Sequence, residues 1–237
     1  MIVHAYCIRA AGEPPPGPEV RGIGGAEVVA VEAAGGMSAW VSRLDAPPTP
    51  EPDRLREHDG VVRAALRTET PLPLRFGTAF QDEGALRAVL AERAAELLAS
   101  LERVRGRVEM GAALGWDAAA ARERVLARRP ELRPMQEKPA TGRAYLEARR
   151  REHGLEAALR EEAEALLERV SRAVAAALPE AVEARTTLPR PEVAAMLAHL
   201  VRREDVSAYR EAVKHVAGEL PEAEVRVSGP WAPYSFV

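Results

Sequence analysis

The histidines and the single cysteine are the side chains of this 237-residue chain best suited to catalysis or metal binding. A lone cysteine, Cys7, forms neither a thiolate zinc site nor an internal disulfide. His58 and Asp59 are adjacent on a predicted helix, where neighbours point about 100° apart, so they form no dyad. His58 lies in line with Leu55 and Val62 and is interpreted as a half-buried histidine that satisfies a backbone group. No two histidines have the four-residue spacing of a helical H-E-x-x-H metal site. The five histidines are His4, His58, His153, His199 and His215.

Three other patterns that often carry chemistry also have a structural interpretation here. The glycines of "GIGGAE" at 22–27 lack the G-x-G-x-x-G spacing of a phosphate loop and fit a hairpin or bulge. Ser228-Gly229-Pro230 cannot enter a helix as a nucleophile elbow requires. Glu161, Glu162 and Glu164 lie among arginines on a predicted helix, which is typical of a solvated face. We therefore predict no catalytic residue, no cofactor and no metal, and a protein that is not an enzyme.

The composition limits the partners that this protein can have. Hydrophobic residues make up 47% and charged residues 29%, as in soluble globular proteins. The net charge of −3 argues against a general nucleic-acid binder, which is normally basic. No apolar run reaches the roughly 18 to 20 residues of a membrane span, and the amino terminus has no signal-peptide pattern. A single cysteine fits a reducing compartment. We expect a soluble cytoplasmic protein with no nucleic-acid or membrane partner.

The periodicity predicts an α+β fold with two domains, residues 1–104 and residues 105–237. In the first, Gly35-Gly36 tolerates the positive φ angles of a hairpin turn between two strands, and Asp53 is placed to cap the following helix. One helix is predicted from Gln81 onward, with a leucine stripe. The predicted strands are Ile2–Ile8, Ala26–Ala33, Met37–Leu44 and a short strand before Gly77, and the first helix is Arg54–Thr68.

The second domain is predicted as a βαββαβ-like arrangement built around a helix of about 142–178. Its apolar residues alternate at spacings of four and three, the pattern of a coiled-coil seam that packs in cis or against another chain. Residues 117–140 are arginine-rich and interrupted by prolines, and we interpret them as a mobile, partly helical insertion. The seam residues are Leu159, Ala163, Leu166, Val170, Ala173 and Ala177, and the strands are 107–116, 181–188, 193–203 and 223–229, with a helix at 206–219.

The stretch "PLPLRFGTAF" at 71–80 places an arginine beside two phenylalanines. A buried arginine needs a carboxylate or several carbonyls as partners. Arg75 is therefore expected either to join strand to helix through an internal ion pair or to receive the acidic or carbonyl groups of a partner protein. Partner binding or interdomain contact is assigned here to Arg75, Phe76, Gly77, Thr78 and Phe80.

The chain closes on "VSGPWAPYSFV", although chain ends are usually polar and frayed. Prolines on either side of Trp231 hold the segment extended. Trp231, Tyr234 and Phe236 are expected to form either a structural lid that folds back across the other domain or an interface anchor. Replacing Trp231 with alanine separates the two, because a buried ring would cost roughly 3–5 kcal/mol. We predict that this tail and the turn at Arg75–Thr78 lie on or near the surface that joins the domains.

The sequence resembles the gas vesicle accessory proteins of the GvpF/GvpL family. The resemblance rests on "LPLRFGTAFQDE" (72–83), "VEMGAALGWD" (108–117), "GRAYLEARRRE" (142–152) and "VSGPWAPYSFV" (227–237), in this order. It covers essentially the whole chain, and R-F-G-T together with S-G-P-W-x-P-Y-S-F is specific. It departs chiefly at 117–140. The resemblance implies a modified ferredoxin-like N-terminal domain and a C-terminal domain with a long helix.

What the resemblance implies for function is a role in building gas vesicles. It implies a non-enzymatic, chaperone-like or minor structural component that binds the hydrophobic wall protein and other accessory proteins during nucleation and assembly. The implied location is the gas vesicle and the cytoplasm. Two alternatives stay open: a ferredoxin-like regulatory or ligand-sensing module, which would need a polar pocket at a sheet edge, and a hydrolase or transferase. A stoichiometric complex with the wall protein supports the first reading, whereas a bound metabolite or turnover supports the others.

Overall fold

The computed structural model describes residues 1–33, 35–134, 141–186 and 193–237. They form two compact units, which are treated separately below. The first unit comprises Met1–Glu109, Leu200–Glu204 and Gly229–Val237, and the second comprises Met110–His199 and Asp205–Ser228. The boundary predicted between residues 104 and 105 stays a prediction, although the last nine residues lie in the first unit.

The first unit is built on an antiparallel sheet with the order β2-β3-β1-β4. A fifth strand, β5, pairs with the same edge of β1 as β4, further along it. Its strands are β1 (Ile2–Ala10), β2 (Val29–Ala33), β3 (Met37–Leu44), β4 (Leu72–Pro73) and β5 (Ala79–Phe80), and its helices are α1 (Pro52–Leu66), α2 (Glu83–Glu92) and α3 (Ala94–Val104).

Strand β1 is buried from Val3 to Arg9 because apolar clusters cover both faces of the sheet. Val3, Ala5 and Ile8 pack into a cluster with α2 and α3, which we call the leucine cluster. Tyr6 and Cys7 both pack into a second cluster with α1, which we call the α1 cluster. Two consecutive residues share one face because a bulge shifts the register with β3 between Ala5 and Cys7.

The predicted helix after Gln81 is in fact two helices, and this correction has a local cause. Arg93 has φ −100° and ψ 14°, so it ends α2 and starts α3. Its guanidinium group binds both carboxylate oxygens of Glu96 at 3.1 and 2.8 Å. The change of direction at Arg93 lets the leucines on both sides face the leucine cluster: Leu86, Leu90, Leu97 and Leu101.

The capping role predicted for Asp53 is also wrong. Helix α1 starts two residues earlier than predicted, at Pro52, with Glu51 in the cap position. Proline is well suited to a first helical position because the amide hydrogen that it lacks has no helical partner there. Asp53 lies in the first turn and pairs with Arg56 instead. A carboxylate in this position still complements the helix dipole.

The second unit contains a long helix, as predicted, and strands that form a sheet with the order β7-β8-β6-β9. Counted from its own first strand, this is the same order as that of the first sheet. Helix α5 has 36 residues and is capped at its start by Thr141, whose hydroxyl accepts a hydrogen bond from the Ala144 amide at 3.2 Å. The elements that lie wholly or mostly in this unit are β6 (Arg107–Gly115), α4 (Ala118–Arg128), α5 (Gly142–Ala177), β7 (Val182–Thr186), β8 (Val193–Arg202), α6 (Val206–Gly218) and β9 (Glu224–Trp231).

Helix α5 packs in cis, against α4 and α6. The predicted seam is correct in the middle of the helix, where Ala163, Leu166 and Val170 are buried. It is wrong at the end, where Val174 is buried and Ala177 is exposed. The buried stripe drifts because a straight helix has 3.6 residues per turn rather than the 3.5 of a coiled coil.

The segment 117–140 is ordered helix over its first part. Asp117 caps α4 by accepting hydrogen bonds from the Ala119 and Ala120 amides at 2.8 and 3.0 Å. Arg124 and Arg128 bind opposite oxygens of Glu162 on α5, at 3.0 and 2.8 Å. The prediction of partial helix is confirmed here, and residues 135–140 lie outside the described residues. Beneath these ion pairs a small apolar cluster joins α4 to α5: Val125, Leu126, Leu155 and Ala158.

Candidate functional site

The R-F-G-T turn, residues 75–78, is a short excursion between β4 and β5, the two short strands that pair with the same edge of β1. The Leu74 amide donates to the Tyr6 carbonyl oxygen at 2.9 Å, and the Thr78 carbonyl accepts from the Ala5 amide at 2.9 Å. Consecutive residues of β1 are thus bonded to residues four apart in the turn, so residues 75–77 loop out. Gly77 has φ +87°, a conformation that favours glycine.

Hydrogen bonds within the excursion fix its shape. The Thr78 hydroxyl donates to the Arg75 carbonyl oxygen at 2.7 Å, and the Thr78 amide donates to the same oxygen at 3.1 Å. Phe76 is half-buried against the α1 cluster, and Phe80 is half-buried against the leucine cluster. The turn therefore holds a fixed backbone with one ring directed into each cluster.

Arg75 does not form the internal ion pair that was one of its two predicted roles. Its side chain is exposed and makes no ion pair within the described residues. The buried arginine of the first unit is Arg9, which is 1% exposed. Arg9 lies over the Trp40 ring, donates to the Pro14 carbonyl at 2.7 Å and pairs with Glu13. Arg75 leaves the sheet with the excursion, which places its charge at the surface.

A buried histidine pair lies beneath the turn, and the sequence analysis did not find it. His58 Nδ1 lies 3.0 Å from His4 Nε2, and His58 Nε2 lies 2.9 Å from the Leu74 carbonyl oxygen. The Phe76 ring packs at 5.7 Å from the His58 ring and 5.9 Å from the His4 ring. The packing of α1 against β1 brings together two histidines that are 54 positions apart in sequence, so no short-range spacing reveals the pair.

Burial keeps both histidine rings neutral. It lowers the pKa of His4 to about 4, and the nearby His58 acts in the same direction. Burial also lowers the pKa of His58, against the opposing effect of its bond to the Leu74 carbonyl. With both rings neutral, His4 donates to His58 and His58 donates to the turn. The pair therefore supports the backbone of the turn rather than offering a base to solvent.

The carboxyl-terminal tail, residues 229–237, is packed against the first unit. Ala232 and Pro233 are buried, and Ala232 belongs to the α1 cluster. Glu109 accepts hydrogen bonds from both the amide and the hydroxyl of Ser235, each at 2.8 Å. Arg103 donates to the Phe236 carbonyl oxygen at 2.6 Å. These contacts, at Ala232, Ser235 and Phe236, fix the conformation of the tail.

The three tail rings differ in how far they are covered. Phe236 is half-buried against the leucine cluster. Trp231 is half-buried, with the Arg63 guanidinium 4.8 Å from its ring centre. Tyr234 is 38% exposed, and burial of its hydroxyl followed by the nearby Asp59 charge raises its pKa. The tail is thus fixed against the first unit by hydrogen bonds, while part of its aromatic surface stays exposed to solvent.

The cysteine of the first unit is not an activated thiol. Burial raises the pKa of the Cys7 thiol to about 12, so the thiol stays protonated at neutral pH. Nowhere in the described ranges do three or more His, Cys, Asp or Glu side chains gather as a metal site would require. Among the described helices, none combines the length and apolar character needed to cross a membrane.

The fold and the site together define a class of protein. It is a mixed α+β protein in which two marked segments, the R-F-G-T turn and the carboxyl-terminal tail, present aromatic and cationic surface on a fixed backbone. The family model for the gas vesicle synthesis protein GvpL/GvpF matches residues 2–237. The chain is 32% identical to gas vesicle protein F of Streptomyces sp. (strain CB03234), and all of both chains is covered. It is 30% identical to gas vesicle protein L of the same organism, over 78% of this chain and 68% of that protein.

Solved structures agree with this match at the level of the fold. The crystal structure of GvpF from Microcystis aeruginosa has a TM-score of 0.81 at 18% identity, covering 99% of this chain and 98% of that one. The crystal structure of GvpF from Anabaena sp. PCC7120 has a TM-score of 0.77 at 20% identity, covering 99% and 97%. This chain belongs to the GvpL/GvpF family of gas vesicle synthesis proteins.

Proposed function

We propose that this protein is a non-enzymatic accessory factor that binds the hydrophobic gas vesicle wall subunit and other accessory proteins during nucleation and assembly. It acts in the cytoplasm and at the gas vesicle, as a chaperone-like or minor structural component, with neither nucleic acid nor membrane as a partner. We also infer that its N-terminal half is a modified ferredoxin-like domain and its C-terminal half a βαββαβ-like domain.

The observation that carries the proposal is the pinned tail with its partly open rings. A subunit that polymerises through apolar faces must be kept from aggregating before it is incorporated. Aromatic side chains with a polar group supply contact area at low entropic cost when their backbone is already fixed. Trp231 and Tyr234 combine these properties: Trp231 is the last residue of strand β9, and the Tyr234 amide donates to the Ala232 carbonyl oxygen at 2.8 Å.

The R-F-G-T turn supports the same proposal. Phe76 and the tail residue Ala232 belong to the same α1 cluster, and Phe80 and Phe236 pack against the same leucine cluster. Both marked segments are thus anchored on common supports in one unit. The exposed Arg75 adds a cation beside this aromatic surface, suited to carbonyl or carboxylate groups of a bound protein.

Co-purification of the chain with the wall subunit tests the proposal. We expect a stoichiometric complex by native mass spectrometry, weakened in Tyr234→Ala and in Arg75→Ala while thermal melts stay unchanged. Leu98→Ala is the matched control, because Leu98 is also 38% exposed in the first unit but lies outside both segments. A bound metabolite, catalytic turnover, or wall binding that all three variants retain would contradict the proposal.

Trp231→Ala separates the lid from the anchor. Because the ring is half-buried and stacks on one guanidinium group, we expect a stability loss of about 2 kcal/mol, below the full cost of a buried tryptophan. The loss of wall binding should exceed that of Tyr234→Ala. A variant that melts like the parent and still binds the wall subunit would show that Trp231 has neither role.

A further inference from the structure

The outer side of the first three turns of α5 exposes an apolar pair among basic residues. Leu146 is 69% exposed and Tyr145 is 54% exposed. Between positions 2 and 236, no large hydrophobic side chain of the described residues is more exposed than these two. Arg149, Arg150 and His153 follow at spacings that place them on the same side of the helix. We call these five residues the α5 outer patch.

The packing of α5 within its own unit does not account for this patch. At about 100° per residue, the nine positions from Leu146 to Leu155 correspond to about two and a half turns of the helix, so the two leucines point in opposite directions. Leu155 is buried against α4, whereas Leu146 points away from that cluster. Exposed apolar surface with no internal partner is typical of an interaction site.

The charges of the patch indicate the chemistry of its partner. Residues 142–153 contain four arginines and two glutamates, a net charge of +2 in a chain whose net charge is −3. Arg143 and Arg150 make no ion pair within the described part of the chain, while Arg149 pairs with Glu152 at 2.9 Å. A cation in the first turn of a helix opposes the helix dipole, so Arg143 does not stabilise α5 in this way.

We propose that the α5 outer patch docks an acidic polypeptide segment that carries a large apolar side chain. The apolar side chain packs on Leu146 and Tyr145, and its carboxylates pair with Arg149 and Arg150. A second copy of this chain is disfavoured as the occupant, because two such patches would bring like charges together. This interaction uses residues other than the turn and the tail, so it goes beyond wall-subunit binding at those segments.

Fluorescence anisotropy with a labelled peptide of glutamate and leucine tests the proposal on the full chain. We expect saturable binding that weakens about tenfold in Arg150→Glu and about fivefold in Leu146→Ser. Arg160→Glu is the matched control, since Arg160 is exposed on the same helix ten residues further on. Circular dichroism of each variant shows whether α5 is intact.

Comparison probes decide between the classes of partner. A lysine and leucine peptide of the same length, vesicles of anionic phospholipid and a single-stranded oligonucleotide should all bind more weakly than the acidic peptide. Stronger binding of any of these, concentration-dependent dimerisation through the patch, absence of acidic-peptide binding, or equal weakening in Arg160→Glu would each overturn the proposal. Tyr234→Ala should leave peptide binding unchanged, which separates this result from the test of wall binding.

Discussion

The buried histidine pair predicts a specific loss of stability in mild acid. In the unfolded chain His4 titrates near its ordinary pKa of 6.5, whereas in the folded protein the pKa is about 4. Between these values the unfolded state binds the proton first. The contribution of His4 is therefore complete above pH 6.5 and is lost as the pH falls toward 4.

The size of the effect follows from the distance between the two pKa values. A pH of 5 is 1.5 units below the pKa of His4 in the unfolded chain, which corresponds to about 2 kcal/mol of lost stability. His58 contributes in the same direction, because burial lowers its pKa as well. The protonated His4 ring would also place a hydrogen on Nδ1, which is buried and has no hydrogen-bond partner.

Urea unfolding at pH 7 and pH 5 measures this loss, and His4→Gln isolates it. The glutamine amide can still donate toward His58 but does not titrate, so the loss between the two pH values should shrink by about 2 kcal/mol. His215→Gln is the control, because His215 has an exposed side chain in the second unit. If the parent and His4→Gln lost the same stability, the histidine pair would not be the acid-sensitive element.

Three further predictions concern the turn, the α4–α5 ion pairs and the tail. Gly77→Ala should lower the free energy of unfolding by about 1–2 kcal/mol, because Gly77 has a positive φ. Gly60→Ala should raise it by up to about 1 kcal/mol, because Gly60 lies on α1 with open space around it. A urea unfolding experiment that ranks the two variants otherwise would contradict this. Glu162→Gln should cost about 2 kcal/mol because two arginines share this largely buried carboxylate, and Glu161→Gln, from an exposed pair, less than about 0.5 kcal/mol; equal thermal shifts would refute the difference. Glu109→Gln should weaken the hold on the tail, so that carboxypeptidase releases the last residues faster than from the parent, and equal rates would show that the other contacts suffice.

Local periodicity was enough to locate most of the elements. The alternation in β1, the stripe of α1 and the length of α5 each depend on neighbours in sequence, and each was predicted within a few residues. The α+β class and the long helix are confirmed. The break at Arg93 was missed, because the leucine stripe continues through it and only packing on a common cluster reveals the change of direction.

The candidate site was harder to predict, since long-range pairing decides its geometry. The sequence marks "RFGT" and the tail, but it does not show that β4 and β5 share one edge of β1 with the turn looping out between them. For the same reason, the internal ion pair, one of the two roles expected for Arg75, does not form among the described residues, while the buried arginine, Arg9, was not singled out from the sequence and lies over the Trp40 ring. That the turn and the tail bind a partner stays a prediction.

The position of the tail has a consequence for biosynthesis. Ala232 and Phe236 complete clusters that are otherwise formed, apart from Leu200, by residues made much earlier. A nascent chain that has reached only residue 228 therefore leaves both clusters open on one side, with Glu109 and Arg103 lacking their tail partners. Premature termination would yield a truncated protein whose first unit exposes apolar surface. This exposed surface would mark the truncated protein for proteolysis before it could interfere with the full-length protein.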